Sequence, residues 1–141
     1  MQLSETIDVV RLPYLSLVNA NFAGQAATSS GWGIAAEGVT FISPTLRENL
    51  MSVITDPACQ NMYIYELPPN TVCGFNYTSG TCKGDNGGPL TIFMNATEET
   101  MLIGVASFID VSGCNTDIPS VFTRVQKYLD WISEATGIAL N

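Results

Sequence analysis

Cys82-Lys83-Gly84-Asp85-Asn86-Gly87-Gly88-Pro89-Leu90 is the stretch on which the reading of the whole chain turns. Glycines 84, 87 and 88 mark a tight loop, because glycine adopts backbone conformations closed to other residues. The apolar run that begins at Pro89 reads as a strand leaving that loop. A Gly-Asp-x-Gly-Gly-Pro hexapeptide has moderate specificity when taken alone. Its companions along the chain supply the rest.

Working outward, Gly31-Trp32-Gly33 ends an early strand, and Cys59 and Cys73 frame a loop upstream. Downstream, Val105-Ala106-Ser107-Phe108 precedes Cys114, and Pro119-Ser120-Val121-Phe122-Thr123-Arg124-Val125 runs toward the C-terminus. Residues 27–32, 39–42, 46–54, 71–74, 89–93, 101–108 and 120–125 are short β-prone runs separated by glycine, proline and asparagine. That pattern predicts an antiparallel sandwich or barrel. Residues 95–100 read as a turn between two strands. From 125 to 135 the spacing changes: Val125, Tyr128, Leu129, Ile132 and Ala135 fall at helical intervals, and Gly137 follows as a stop. This helix reads as one that docks on the core and carries no chemistry, with Trp131 beside its apolar stripe.

The chain has 141 residues, 46% of them hydrophobic, which suits a globular core; its 13% of charged residues is thin for a free-standing soluble domain and fits a surface built to be covered by a missing partner. Its net charge is −8, and its five basic residues, Arg11, Arg47, Lys83, Arg124 and Lys127, are scattered. Binding along a phosphate backbone needs concentrated positive charge, so no nucleic-acid partner is expected. No apolar run reaches the length of a membrane span. The first residues lack the basic start and apolar stretch of a secretion signal, from which a missing upstream segment is expected. Four cysteines, Cys59, Cys73, Cys82 and Cys114, form no CxxC, and the sequence contains no histidine. Zinc is therefore not expected, no cofactor is called for, and disulfides are the simpler reading. Four cysteines allow three pairings, among which spacing does not choose. Two sequons, Asn76-Tyr77-Thr78 and Asn95-Ala96-Thr97, agree with an extracellular destination and make Asn76 and Asn95 candidate glycosylation sites.

The motif and its companions together resemble the chymotrypsin-like (trypsin-family) serine proteases, in the flavour of their insect and crustacean digestive branch, over essentially the whole chain. The resemblance implies an all-β fold: a six-stranded antiparallel Greek-key barrel, the second of the family's two, followed by a C-terminal helix. Residues 1–14 would be the connection between barrels, and 15–141 the barrel with its terminal helix at 125–136. The family pairing implies disulfides Cys59–Cys73 and Cys82–Cys114. A further family disulfide is lost, with Ala27 and Ile92 at its two positions.

The resemblance also assigns roles. Position 86 would be the nucleophile, and it holds asparagine. A carboxamide has no ionisable hydroxyl and its nitrogen lone pair is delocalised, so Asn86 forms no acyl-enzyme. The family's histidine and aspartate lie in the part preceding Met1, and no histidine here replaces the general base. The oxyanion hole would use the backbone amides of Gly84 and Asn86, which survive a side-chain change. Gly80, Thr81, Lys83, Ser107, Phe108, Ile109 and Ser120 would line the substrate pocket. Gly80, Thr81, Ser107, Ile109 and Ser120 offer no charge at its base, so a neutral apolar group would be preferred. Asp85 is the carboxylate that pairs with a new N-terminal ammonium in activated relatives. Without that ammonium, the expectation is a zymogen-like loop over 80–88, either mobile or with Asp85 turned outward. The chain is expected to be an inactive homologue or fragment. The alternatives are a serine endopeptidase by family, and a decoy that binds a peptide or inhibitor. Partners would be a peptide, a protease inhibitor or a missing N-terminal barrel, with self-association through the uncovered face.

Overall fold

The computed structural model describes residues 9–36, 38–109, 113–114 and 117–140. Six strands, β1 (Ala26–Gly31), β2 (Arg47–Ile54), β3 (Thr71–Phe75), β4 (Pro89–Met94), β5 (Glu99–Phe108) and β6 (Ser120–Arg124), close into an antiparallel barrel. Their order around it is β1-β2-β3-β6-β5-β4, with β4 returning to pair with β1. Closure leaves no strand edge unpaired, the physical problem any antiparallel sheet must solve.

Alternation fills the barrel. Ala27 from β1, Met51 and Val53 from β2, Val72 from β3, Leu90 and Ile92 from β4, Met101 and Ile103 from β5 and Phe122 from β6 point inward and are buried. Most of these strands show the period of two expected of a pleated sheet with one dry face. β3 departs from it: Val72, Cys73 and Gly74 are all buried. Its outer face is covered by a second, smaller cluster of Cys59, Tyr63, Cys73 and Val121. The helix α1 (Asp56–Gln60) carries Cys59 to that cluster, capped by Thr55, whose hydroxyl accepts the Ala58 amide at 3.3 Å. Disulfides join Cys59 to Cys73 and Cys82 to Cys114. Ala27 and Ile92 lie directly opposite each other across β1 and β4, both buried.

The run at 39–42 forms no strand. Gly38 has a left-handed φ of 80°, and Ser43 N–H donates to Trp32 O at 2.9 Å. That contact closes 33–42 into a loop on the barrel rim, with Phe41 and Ile42 exposed. A closed six-stranded barrel has no edge left for this run to join. The terminal segment is a 3₁₀ turn, Val125–Tyr128, followed by the helix α2 (Leu129–Thr136). Val125 and Leu129 are buried, Trp131 is exposed, and Gly137 ends α2 at φ 73° with its N–H on Ser133 O.

The incoming chain docks on β5. Arg11 N–H donates to Thr100 O and Leu102 N–H donates to Arg11 O, at 3.1 and 2.9 Å. The Glu99 carboxylate then accepts from Tyr14 Oη at 2.6 Å and from Arg11 Nε at 2.7 Å. The Tyr14 hydrogen bond, aided by Arg11, holds the Glu99 carboxyl below its usual range. The same hydrogen bond raises the Tyr14 phenol. Val9 and Val10, at the start of the described residues, are exposed. No helix among the described residues is long and apolar enough to cross a membrane.

Candidate functional site

The loop between Gly80 and Gly88 is held from four directions. Its start is tied to β6, because the buried Thr81 N–H donates to Ser120 Oγ at 2.9 Å. The Cys82–Cys114 disulfide fixes it to the segment before β6. Lys83 O accepts from Ile34 N–H at 2.9 Å, which joins it to the loop after β1. Its end turns tightly, with Gly88 N–H on Asp85 O at 2.8 Å, and crosses to β5 through Gly87 N–H on Ala106 O at 2.8 Å. Gly84 and Gly87 take left-handed φ values of 100° and 84° within this turn.

Asp85 is turned inward, not outward as the sequence reading expected. Its Oδ1 accepts from Gly33 N–H at 2.8 Å and its Oδ2 from Cys82 N–H at 2.9 Å. Charge-assisted bonds from two backbone amides offset the desolvation that was expected to expel an unpaired carboxylate. The close approach depends on glycine: a Cβ on Gly33 would stand 2.5 Å from the Asp85 carboxyl carbon, and one on Gly31 would overlap Oδ1. The carboxylate forms one wall of a cavity of about 180 Å³, shared with Ser29, Ser30, Asn49 and Ser79 among others. Asn49 Nδ2 is buried there without a hydrogen-bond partner, while its Oδ1 accepts from Ser79 Oγ at 2.7 Å. The sequence held no signal for this cavity, since Asn49 and Ser79 meet only through the pairing of distant strands.

The side chain of Asn86 is exposed at the crest of the loop. Amide use alternates around it. The N–H groups of Asp85, Gly87 and Gly88 are all spent within the fold, whereas those of Gly84 and Asn86 donate to none of the described residues. Two uncommitted donors thus flank Asp85 at an exposed turn, an arrangement able to receive an external carbonyl or anionic oxygen.

Of the predicted pocket residues, Gly80, Thr81 and Ser120 come together. A Cβ on Gly80 would meet Cys114 O at 2.8 Å and Ser120 Oγ at 3.0 Å, so the channel between them is narrow. Phe108 pairs with Val121, next to Ser120, and a bulge between Ala106 and Phe108 leaves Ser107 exposed and unpaired. Ile109 is half-buried just past β5, and Lys83 is exposed on the outside of the loop. Phe108 also joins an aromatic group with Tyr63 and Tyr65, at centroid distances of 6.3 and 6.5 Å. Tyr63 is held there by donating to Pro119 O at 2.5 Å. The two tyrosines were not singled out from sequence, where they lie over 40 residues from Phe108 with no shared motif. Asn76 and Asn95 lie away from this loop, after β3 and after β4. Among the described residues no group of histidine, cysteine, aspartate or glutamate is arranged to hold a metal ion.

A closed six-stranded barrel with a terminal helix and a disulfide-anchored Gly-Asp-x-Gly-Gly-Pro loop define a barrel of the chymotrypsin-like fold. The comparisons agree: residues 1–132 match the trypsin family model, and the chain belongs to the trypsin family of serine proteases. It is 31% identical to brachyurin of Leptuca pugilator, over 96% of this chain and 62% of that protein. It is 34% identical to a collagenase of Hypoderma lineatum, over 98% of this chain and 51% of that protein. A solved HL collagenase structure superposes with a TM-score of 0.84 at 33% identity, covering 99% of this chain and 58% of the other. The chain therefore spans about half the length of these relatives. Two disulfides fit an oxidising, extracellular setting.

Proposed function

We propose that this chain is a non-catalytic serine-protease homologue that keeps the family's binding loop and has lost its nucleophile. The observation that carries the reading is Asn86. It stands at the crest of the Gly84–Gly88 turn, where the family motif requires serine, and its side chain is exposed to any bound peptide. A carboxamide neither ionises nor attacks a carbonyl under these conditions. This defect lies within the chain itself, so a histidine supplied by another segment does not repair it. Within the 141 residues no histidine is available as general base.

The free amides of Gly84 and Asn86 support the second half of the reading, which is binding without turnover. A backbone carbonyl would be received between them, and a neutral side chain would enter beside Gly80, Thr81 and Ser120, where no counter-ion awaits a basic one. The ligand class is a peptide or an inhibitor loop presented in extended form. The groove lined by Val10 and Ile138, both exposed, supports a covering partner on that face, a preceding barrel in the family's arrangement.

The test is incubation of the purified chain with a serine-directed fluorophosphonate and with a peptide ester. Neither labelling nor turnover is expected, while a fluorescent inhibitor-loop peptide with an apolar anchor binds saturably and is recovered intact. Covalent labelling, or repeated ester cleavage with contaminating enzyme excluded, overturns the loss of catalysis. Absence of saturable binding overturns the binding half alone.

A further inference from the structure

The two sequons sit in opposite structural circumstances. The Asn76 carboxamide is part of the fold. Its Nδ2 donates to Leu50 O at 2.7 Å and to Asn49 Oδ1 at 3.3 Å, so both of its hydrogens are engaged. Its Oδ1 accepts from Thr78 N–H at 2.9 Å and Thr78 Oγ1 at 3.0 Å. These bonds stitch the end of β3 to the middle of β2. An N-linked sugar replaces one Nδ2 hydrogen with a pyranose carbon, which would break one of the two donations and lift the residue off β2.

Asn95 is exposed in the short turn joining β4 to β5. Thr97 N–H closes that turn on Met94 O at 3.2 Å, and Glu98 follows with a left-handed φ of 54°. Met94 pairs with Glu99 and Phe93 with Thr100, so the strands are in register up to the turn. Phe93 is the outward residue of the last pair but one, and 59% of it is exposed. It precedes Asn95, the first residue of the turn, by two positions. They also share one shallow groove with Gln25, Ala26 and Met94. An exposed aromatic ring beside a glycosylatable asparagine is a platform for the C–H face of a sugar.

We propose that Asn95 alone carries an N-linked glycan, and that its first sugar lies on the ring of Phe93. The step joins Asn95 Nδ2 to the anomeric carbon of an oligosaccharide carried on a lipid pyrophosphate. The bond from that carbon to the phosphate oxygen breaks, the lipid pyrophosphate leaves with the electron pair, and Nδ2 releases one proton. The proposal rests on passage through an oxidising secretory compartment, which the two disulfides fit, and not on the reading of the Asn86 loop. It accounts for the difference between the sequons: one asparagine holds strands together, the other faces solvent beside a bare aromatic.

The test expresses the full chain behind a cleavable leader in a eukaryotic secretory host. Enzymatic release of glycans in heavy-oxygen water converts each occupied asparagine to a labelled aspartate, and peptide mapping finds the label at position 95 only. Label at position 76 in the folded, secreted protein, or none at 95, overturns the assignment. The stacking is read separately. Protein trimmed to a single sugar melts a few degrees above Asn95→Gln, and that difference disappears when both are made with Phe93→Ser. A difference that persists without the ring overturns the contact, whatever the occupancy.

Discussion

Gly33→Ala tests how the Asp85 loop is held. The new methyl would stand 2.5 Å from the Asp85 Cγ and Oδ2 and 2.6 Å from Oδ1, well inside contact distance. Both oxygens are engaged, so the carboxylate leaves as a unit and gives up the Gly33 and Cys82 amides together. Hydrogen bonds to a charged group contribute about 1.5–3 kcal/mol each. The half-buried position lets water recover part of that, so the loss of both comes to about 2–4 kcal/mol. Asp85→Ala removes the same two bonds and falls in the same range. In the Asp85→Ala background, however, Gly33→Ala has no carboxylate to displace, and its added cost is small. Urea unfolding followed by circular dichroism gives all four free energies, with a constant m-value confirming that compactness is unchanged. The expected coupling is at least about 2 kcal/mol, far beyond the error of an additive pair. If Gly33→Ala costs the same in both backgrounds to within about 0.5 kcal/mol, the methyl acts elsewhere and the account of Asp85 is wrong.

The clasp of Tyr14 on Glu99 gives a pH signature. It requires a neutral phenol and an ionised carboxylate. The Glu99 carboxyl is lowered from 4.5, so its contribution is present above that value and lost as pH falls through the folded one. The Tyr14 phenol is raised from 10.0, so its contribution is complete below that value and lost as pH rises through the folded one. The stability difference between wild type and Tyr14→Phe, measured by thermal melts from acid to alkali, should therefore form a plateau that declines at both ends; a difference independent of pH refutes the clasp. Asn86-Gly87 is a pair prone to deamidation, because the glycine amide can attack the asparagine carboxamide. Here the Gly87 N–H is held on Ala106 O. Peptide mapping after warm incubation should show Asn86 intact in folded protein and converted to aspartate and isoaspartate in the reduced, unfolded chain. Equal conversion in both would show that the loop is not held.

The barrel was legible because its evidence is periodic and local. Alternating apolar residues in 46–54, 89–93 and 101–108 face one interior, and glycine and asparagine mark the turns between them. The helix was legible from Leu129 onward, whereas Val125–Tyr128 tightens into a 3₁₀ turn as Val125 and Gln126 are drawn into the barrel end. The run at 39–42 misled because its composition suits a strand, and only the closure of the sheet elsewhere denies it a partner. α1 was missed because five residues carry no helical period, and its cap and its disulfide position it instead. At the site, Asn86 and the glycines could be placed from a contiguous motif. The direction of Asp85 could not. It depends on Gly33, 52 residues away, offering an amide at the right distance and no side chain in the way. Tyr63 and Tyr65 were illegible for the same reason, since they reach Phe108 only after β3 and β6 pair.

Nothing that shapes the loop uses the side chain of residue 86. The turn is set by Asp85 on two amides, by Gly87 and Gly88 donating to carbonyls, by Thr81 on Ser120 and by the disulfide at Cys82. Residue 86 contributes a backbone link and an exposed side chain, so the identity of that side chain has little consequence for folding. The two unspent amides belong to the backbone and are equally indifferent to that identity. On the function proposed above, one substitution would separate chemistry from binding, with no compensating change elsewhere in the barrel. The converse also follows: a change at Gly33 or Asp85 would dismantle the loop while leaving residue 86 untouched.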